Sequence, residues 1–356
     1  MPVPVTVALD LLGGDSAPGS VVDGALLVAE RRSDITVLLV GPPDVAAAAL
    51  ADRGESGRFD VVEATQVIGM DEDPARAVRA KRDATVRVAA RLVRDGRADA
   101  TVSVGSTGAA MAAALFTLGR LPGVSRPALA AVVPAAAGPL VLLDVGANSD
   151  CGADLLAQFA LSGVALARVR LGIANPRVGL LSIGEEPGKG DELRRAAHAQ
   201  LLGLPINYVG NVEGQDIALG GKADVVVTDG FTGNVVVKSL EGAVTMFSGA
   251  LLSAFTADDD RKAAARSLAP AFGEVAARLN PDALGGGMLL GVNGVAVVGH
   301  GSSSPTAVAH CVEAAASAAA AGLVPMIRDA LAGLVAAHRD RAGVPGEVPR
   351  SDVATP

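Results

Sequence analysis

The segment Thr101–Ala114 reads TVSVGSTGAAMAAA. An apolar run with β-branched residues stops at Gly105, two hydroxyl residues and a second glycine follow, and an Ala-rich run begins. That order describes a strand passing through a tight turn into a helix. The same unit recurs on both sides of the segment. Apolar runs occupy Val5–Leu9, Ile35–Val40, Ala100–Val104, Leu140–Leu143, Val178–Ile183, Asp224–Val227 and Gly294–Val298, and longer Ala/Leu/Val/Arg segments with helical spacing separate most of them. Continuous apolar strands alternating with helices predict an α/β fold: an α/β/α sandwich on a mainly parallel sheet covered on both faces.

In such sheets ligands sit beyond the carboxyl ends of the strands. The residues found there are Asp10–Asp15 (DLLGGD), Gly105–Gly108 (GSTG), Asp144–Asn148 (DVGAN), Gly184–Gly190 (GEEPGKG), Asp229–Asn234 (DGFTGN) and His300–Ser303 (HGSS). One glycine after a strand is ordinary turn chemistry. Six loops that combine glycine with Asp, Asn, Ser or Thr predict a polar cleft.

Bulk properties exclude several classes. The chain has 356 residues, 50% hydrophobic and 19% charged, which fits a folded globular protein. Its net charge of −8 disfavours nucleic acid as a partner. Cys151 and Cys311 are far apart and in no metal spacing, so a reducing cytoplasm is expected. No run reaches the roughly 20 uninterrupted apolar residues of a membrane span, so membrane contact is expected to be peripheral. A single domain is expected over 1–339, with a disordered tail over 340–356. From Phe231 to Leu279 the pattern predicts a helical arm, about 235–280 in its projecting part: a helix to about Phe255, a polar break at Asp258–Asp260, then a helix from Lys262. Asp71–Arg97 reads as one or two helices.

The chain has five lysines, and Lys189 sits on the glycine-rich turn GEEPGKG before a helix. A lysine there suits a phosphate or a developing oxyanion. A P-loop is excluded because Gly190 stands at the Ser/Thr position. Ser106, Thr107 and Gly108 offer hydroxyls and helix-start amides to an anion, or simply cap the helix. Asn234 and Thr232 can orient a carbonyl or phosphate without charge, while Asp229 or Thr232 can equally cap a helix. Asp144, with Asn148 close by, is either a buried structural carboxylate or a catalytic one. Asp10, Gly13, Gly14, Gly188 and His300 complete the candidate substrate- and phosphate-binding set. Cys151 is a thioester nucleophile only in principle, since no histidine adjoins it. His198, His310 and His338 read as helix-surface residues, and the carboxylates show no metal-ligand pattern.

Six blocks together resemble the bacterial phosphate acyltransferases, the acyl-acyl carrier protein:phosphate transacylases (PlsX family). They are ALDLLGGDSAPGSVVDGA, SVGSTGAAMAAALFTLGRLPGVSRPALA, LLDVGANSDCGADLLAQFALSG, NPRVGLLSIGEEPGKGDEL, ADVVVTDGFTGNVVVKSLEG and LLGVNGVAVVGHGSSSPTAV, covering about residues 3–335. The resemblance implies a fold like that of isocitrate and isopropylmalate dehydrogenases and phosphotransacetylases. It also implies a homodimer and a cytoplasmic enzyme peripheral to the cell membrane. The implied reaction moves a fatty acyl group from acyl carrier protein to inorganic phosphate, with no cofactor. A membrane glycerol-3-phosphate acyltransferase consumes the product in phospholipid synthesis. Carried onto this sequence, the family's catalytic lysine and asparagine fall on Lys189 and Asn234. The match departs at Arg82, Ala84 and Thr85, where a lysine and two serines are common, and at Ser106, where asparagine is frequent. The arm is also poorer in basic residues. Rival readings are a phosphotransacetylase that uses an acyl-coenzyme A, a metal- and NAD-dependent decarboxylating dehydrogenase, and a non-catalytic acyl-carrier or lipid-binding module.

Overall fold

The computed structural model describes residues 4–342. Among the described residues eleven strands form one sheet: β1 (Val5–Asp10), β2 (Ile35–Gly41), β3 (Asp60–Glu63), β4 (Ala100–Ser103), β5 (Ala128–Val133), β6 (Leu140–Leu143), β7 (Arg177–Leu181), β8 (Asn207–Val212), β9 (Val225–Val227), β10 (Gly287–Leu290) and β11 (Val295–Val298). Helices connect and cover them: α1 (Gly19–Arg31), α2 (Pro43–Ala51), α3 (Pro74–Ala80), α4 (Thr85–Arg94), α5 (Thr107–Leu118), α6 (Ala153–Leu171), α7 (Glu192–Leu201), α8 (Gly214–Leu219), α9 (Gly230–Phe255), α10 (Asp259–Leu279), α11 (Pro305–Ala320) and α12 (Leu323–Ala342). Of the tail expected over 340–356, residues 340–342 belong to α12, which runs to Ala342, and residues 343–356 lie outside the described residues.

The strand order is β3-β2-β1-β4-β11-β10-β5-β6-β9-β7-β8. Strands β3, β2, β1, β4 and β11 are mutually parallel, as are β6, β9, β7 and β8. Between the two blocks, the pairings β11–β10, β10–β5 and β5–β6 are all antiparallel. Three reversals mean that the two parallel blocks run in opposite senses. The mainly parallel sheet expected from the apolar runs is therefore two parallel blocks joined by the antiparallel strands β10 and β5. The six glycine-bordered loops divide accordingly. Those after β1, β4 and β11 end one block, and those after β6, β7 and β9 end the other.

The strands carry continuous apolar runs because both faces are covered. Val7, Leu9, Leu39, Val102, Leu143, Val178, Leu180 and Val225 are all buried in one core cluster with α6 and α11. A second cluster under Leu140, Leu142 and Val226 receives Met111 from α5 and Ala147 from the loop after β6. Helix α5 starts at the first block's loops and packs on α3, α4 and β11, and only Met111 of its residues joins the second cluster.

Asp224 fastens the pairing of β7 with β9. Its carboxylate accepts from Arg177 N and Nε at 2.8 and 3.0 Å and from Nη2 at 2.8 Å. These bonds to Arg177 hold the Asp224 carboxyl below its ordinary range, against the opposing effect of burial. A lowered carboxyl contributes stability above its unfolded pKa, and that contribution is lost as pH falls through the folded value. Asp224→Asn is expected to lose about 1–2 kcal/mol at neutral pH, given that Arg177 is partly exposed. The gap from wild type should narrow below about pH 4. Urea unfolding at pH 7 and pH 3.5 measures it; an equal gap at both would contradict the assignment.

Helices α9 and α10 form the arm. The break falls at Thr256–Asp258, and Asp258 caps α10 by accepting from Arg261 N at 2.8 Å. The two helices touch through Phe255 and Phe272, whose ring centroids are 4.7 Å apart. No described side chain of α10 is buried, and Met246, Phe247, Leu252 and Leu268 are exposed. Among the described residues α9 is the one helix long and apolar enough to cross a membrane by itself, judged by length and composition. The uninterrupted-run criterion does not find it, because Lys238 and Glu241 lie within the helix; they pair at 2.7 Å. On Asp71–Arg97, two helices form, α3 and α4.

Candidate active site

In the first block, Asp10 ends β1 and is buried. It accepts from Ser103 Oγ at 2.7 Å and from Leu12 N at 3.3 Å. Burial pushes its carboxyl up from the ordinary value, although bonds from Thr85, Ser103 and the 12–13 amides oppose this. A Cβ on Gly13 would stand 2.9 Å from both Asp10 Oδ2 and Gly105 N, so glycine is what lets the loops after β1 and β4 meet. Asp10, Gly13, Gly14, Thr85, Ser103 and Ser106 face a cavity of about 190 Å³. Ser106 caps α5 through Ala109 N at 3.4 Å, and Thr107 is exposed at its first turn. His300 is exposed and shares a 2.7 Å hydrogen bond with Ser302. Its neighbour Gly301 accepts from Asp15 N at 2.8 Å, which places the loop after β11 beside the loop after β1.

In the second block, Asp144 is fully buried. Its two oxygens receive Leu129 N, Gly146 N, Ala147 N, Asn148 N and Asn148 Nδ2 at 2.8–3.1 Å. Those bonds fold the DVGAN loop around the carboxylate. Asn148 Nδ2 also reaches Pro127 O at 2.7 Å. On the next strand, Asp229 caps α9: Thr232 N and Oγ1 both donate to it at 2.8 Å. Asn234, exposed on the first turn of α9, donates from Nδ2 to Val145 O at 3.1 Å. Thus the helix bearing Asn234 is tied to the DVGAN loop.

Lys189 lies on the loop between β7 and α7, exposed, with its amide donating to Glu186 O at 3.0 Å. Among the described residues the other four lysines each form an ion pair, with Glu72, with Glu185 and Asp216, with Glu241 and with Asp259. Lys189 does not, so its charge is available. Gly188 is exposed beside it. The loop itself is held from below: Asn211 Nδ2 donates to Glu186 O at 2.9 Å, and Lys222 Nζ approaches Glu185 at 2.6 Å.

Arg194, on α7, joins the Lys189 loop to the Asn234 helix. Its Nη1 donates to Asp191 Oδ2 at 2.9 Å, and its Nη2 donates to Asp229 Oδ2 and, at 3.2 Å each, to Thr228 and Thr232 Oγ1. Burial alone would raise the Asp229 carboxyl, but the Thr232 donors and Arg194 outweigh it and hold it low. The site therefore carries an ionised Asp229 with fixed donors, bridged through Arg194 to Asp191 at the end of the lysine-bearing loop.

A family model described as fatty acid synthesis protein matches residues 5–326. Proteins named phosphate acyltransferase are similar over nearly the whole chain. That of Desulfitobacterium hafniense (strain DSM 10664 / DCB-2) is 44% identical over 332 residues, covering 93% of this chain and 99% of its own. That of Acidobacterium capsulatum is 46% identical, covering 89% and 94%. The chain belongs to the fatty acid synthesis protein family. It is an acyltransferase. Among solved structures, a phosphotransacetylase from Streptococcus pyogenes matches with TM-score 0.58 at 19% identity, covering 89% of this chain and 94% of that one. The EutD phosphotransacetylase from Staphylococcus aureus matches with TM-score 0.57 at 16% identity, covering 88% and 94%. These two likenesses speak to the mixed α/β fold.

For this family member, the thiol of Cys151 is pushed up to about 11, chiefly by burial, so it is protonated at neutral pH and a poor nucleophile. His198 is half-buried rather than a plain surface residue: its Nδ1 lies 2.8 Å from Tyr208 Oη, and the rings meet edge to face. Arg194 carries no signal in sequence, since an arginine in an amphipathic helix reads as solvated. Ser103, at the end of β4 just before the GSTG loop, is equally hidden inside a strand.

The glycines of DGFTGN serve close packing. A Cβ on Gly230 would meet Asn148 O at 2.6 Å, and one on Gly233 would meet Asp144 O at 1.9 Å. Spaced by three, they let the first turn of α9 press on the DVGAN loop. Gly233→Ala is expected to destabilise by up to about 3 kcal/mol, as overpacking does, and to displace Asn234. Thermal unfolding measures the loss; an unchanged midpoint would show that α9 is not pressed against this loop.

Proposed function

We propose that the chain transfers a fatty acyl group from acyl carrier protein to inorganic phosphate. The observation that carries this reading is the Arg194 bridge, which sets the Lys189 loop beside the helix start bearing Asn234. A phosphate oxygen attacks the thioester carbonyl carbon and a tetrahedral oxyanion forms. The C–S bond then breaks, and the carrier thiolate leaves and takes up a proton. Phosphate is already nucleophilic at neutral pH, and thioester and acyl phosphate are both activated, so the protein's task is positioning and charge neutralisation. Lys189 receives the oxyanion or a phosphate oxygen and Asn234 orients the carbonyl; the phosphate role expected of Ser106–Gly108 has no support from contact, since that loop ends the other block and lines the Asp10 cavity.

Carrier docking needs a local basic patch on an acidic chain. Arg76, Arg79 and Arg82 are exposed on and after α3, and Arg79 lies 4.7 Å over the ring of Phe116 on α5. In this reading the fold is of the isocitrate dehydrogenase kind and the enzyme is a cytoplasmic homodimer. Its α9–α10 arm serves the dimer or a peripheral contact with the membrane. There a glycerol-3-phosphate acyltransferase takes the product into phosphatidic acid.

The test is release of free carrier protein from palmitoyl carrier protein by the purified enzyme, with and without phosphate. Phosphate-dependent release with formation of acyl phosphate supports the reading. Turnover of acetyl-coenzyme A alone would replace it with a small-acyl phosphotransacetylase, and turnover of neither donor would leave a binding module.

A further inference from the structure

A second cavity, of about 430 Å³, lies apart from the Asp10 pocket and takes no part in the reaction as described above. Its volume falls within the roughly 300–1,000 Å³ of small-molecule sites. Met111, Ala112 and Leu115 of α5 form one wall, half-buried, and Ala147 forms the other. Buried Pro127 and Leu289 lie at its floor, while Arg120, Ser125 and Arg126 are exposed at its rim. The rim groups are held in place: Arg120 donates to Ser125 O, and Arg126 Nη1 donates to Asp150 O at 3.2 Å. The result is an apolar chamber with a polar mouth, which suits an unbranched hydrocarbon attached to a polar or anionic head.

Its position makes the choice of occupant. The cavity wall at Ala147 and Asn148 belongs to the DVGAN loop, and the carbonyl of Val145 in that loop holds the Asn234 carboxamide. Gly230, at the start of α9, presses on the backbone of Asn148. One face of the loop therefore meets the chamber while its neighbouring residues meet the helix start that orients the thioester. We infer that this chamber receives the acyl chain of the donor, with the carbonyl at the Asn234 side, and so sets which chain lengths are accepted. The inference rests on the proposed acyl transfer, to which it adds the chain subsite.

Ala112→Trp fills the chamber from the half-buried wall of α5. Steady-state rates with palmitoyl and butyryl donors, compared between wild type and variant, read the effect. The expected result is a fall in kcat/KM for the sixteen-carbon donor of at least about tenfold, with the four-carbon donor changed less than about twofold. Met111→Ala, which enlarges the chamber, is expected to move preference toward longer chains and covers the case in which the tryptophan variant misfolds. Palmitate binding, followed by calorimetry, reads the chamber without turnover. A wild type that binds palmitate and an Ala112→Trp that does not, with no acyl phosphate formed by either, keep the subsite and reject the reaction. Equal loss for both donors at an unchanged thermal midpoint, no change for either, or a shift in oligomer mass in place of chain preference overturns the subsite.

Discussion

Replacing Arg194 by alanine is expected to lower stability by about 3–5 kcal/mol, the usual consequence of removing one partner from a buried ion pair. Arg194 and Asp229 side chains are only 13% and 8% exposed, so water cannot replace the lost guanidinium. The variant leaves Asp229 charged in a desolvated place and takes a donor from the Thr228 and Thr232 hydroxyls. Activity should fall with stability, because the same side chain sets the Lys189 loop against the Asn234 helix. Arg194→Lys keeps the charge but has no planar fork to span Asp191 and Asp229, so it should recover only part of both. A double variant that also carries Asp229→Ala should lose less than the sum of the single losses, since no orphaned charge remains. Urea unfolding and initial rates at saturating substrate measure these effects. Additive losses in the cycle, or an Arg194→Ala protein as stable as wild type, would show that the bridge does not hold the two loops.

Much of the fold was legible because its punctuation is local. Strand runs that end in glycine and a polar residue announce themselves, and the polar residues 258–260 announce the break in the arm to within two residues, for it falls at 256–258 and Asp259 and Asp260 open α10. The antiparallel strands β5 and β10 were not legible. Ala128–Val133 is half alanine, which favours helix as readily as strand, and Gly287–Leu290 is four residues next to glycines. Missing them hides the reversal between the blocks, so the six loops look as if they share one edge. Within the site, Lys189 and Asn234 stand out by composition and resemblance. Arg194 does not, because its importance lies in Asp229, 35 positions away, and only folding makes that distance short. Gly230 and Gly233 were visible as loop glycines, but their reason is the backbone of residues 144–148 pressed against them.

Lys189→Ala is expected to separate chemistry from folding. The side chain is exposed, and among the described residues it forms no ion pair, so its removal should change stability by no more than about 0.5 kcal/mol. If the ammonium meets the oxyanion of the tetrahedral intermediate, kcat should fall roughly 10²–10³-fold, the range for losing one preorganised donor. If it holds phosphate in the ground state, KM for phosphate should rise while kcat changes little. Asn234→Ala provides the contrast. Its carboxamide is tethered to Val145 O, so the variant should lose activity and also loosen the start of α9 from the DVGAN loop. Lys189 on the loop after β7 and Asn234 on the first turn of α9 after β9 follow neighbouring strands of the same block, and they should act as a unit on one reacting carbonyl. The double variant is then expected to be little slower than the worse single variant. Multiplying losses would mean that the lysine and the asparagine serve different steps, and full activity in Lys189→Ala at an unchanged melting point would remove the lysine from the reaction.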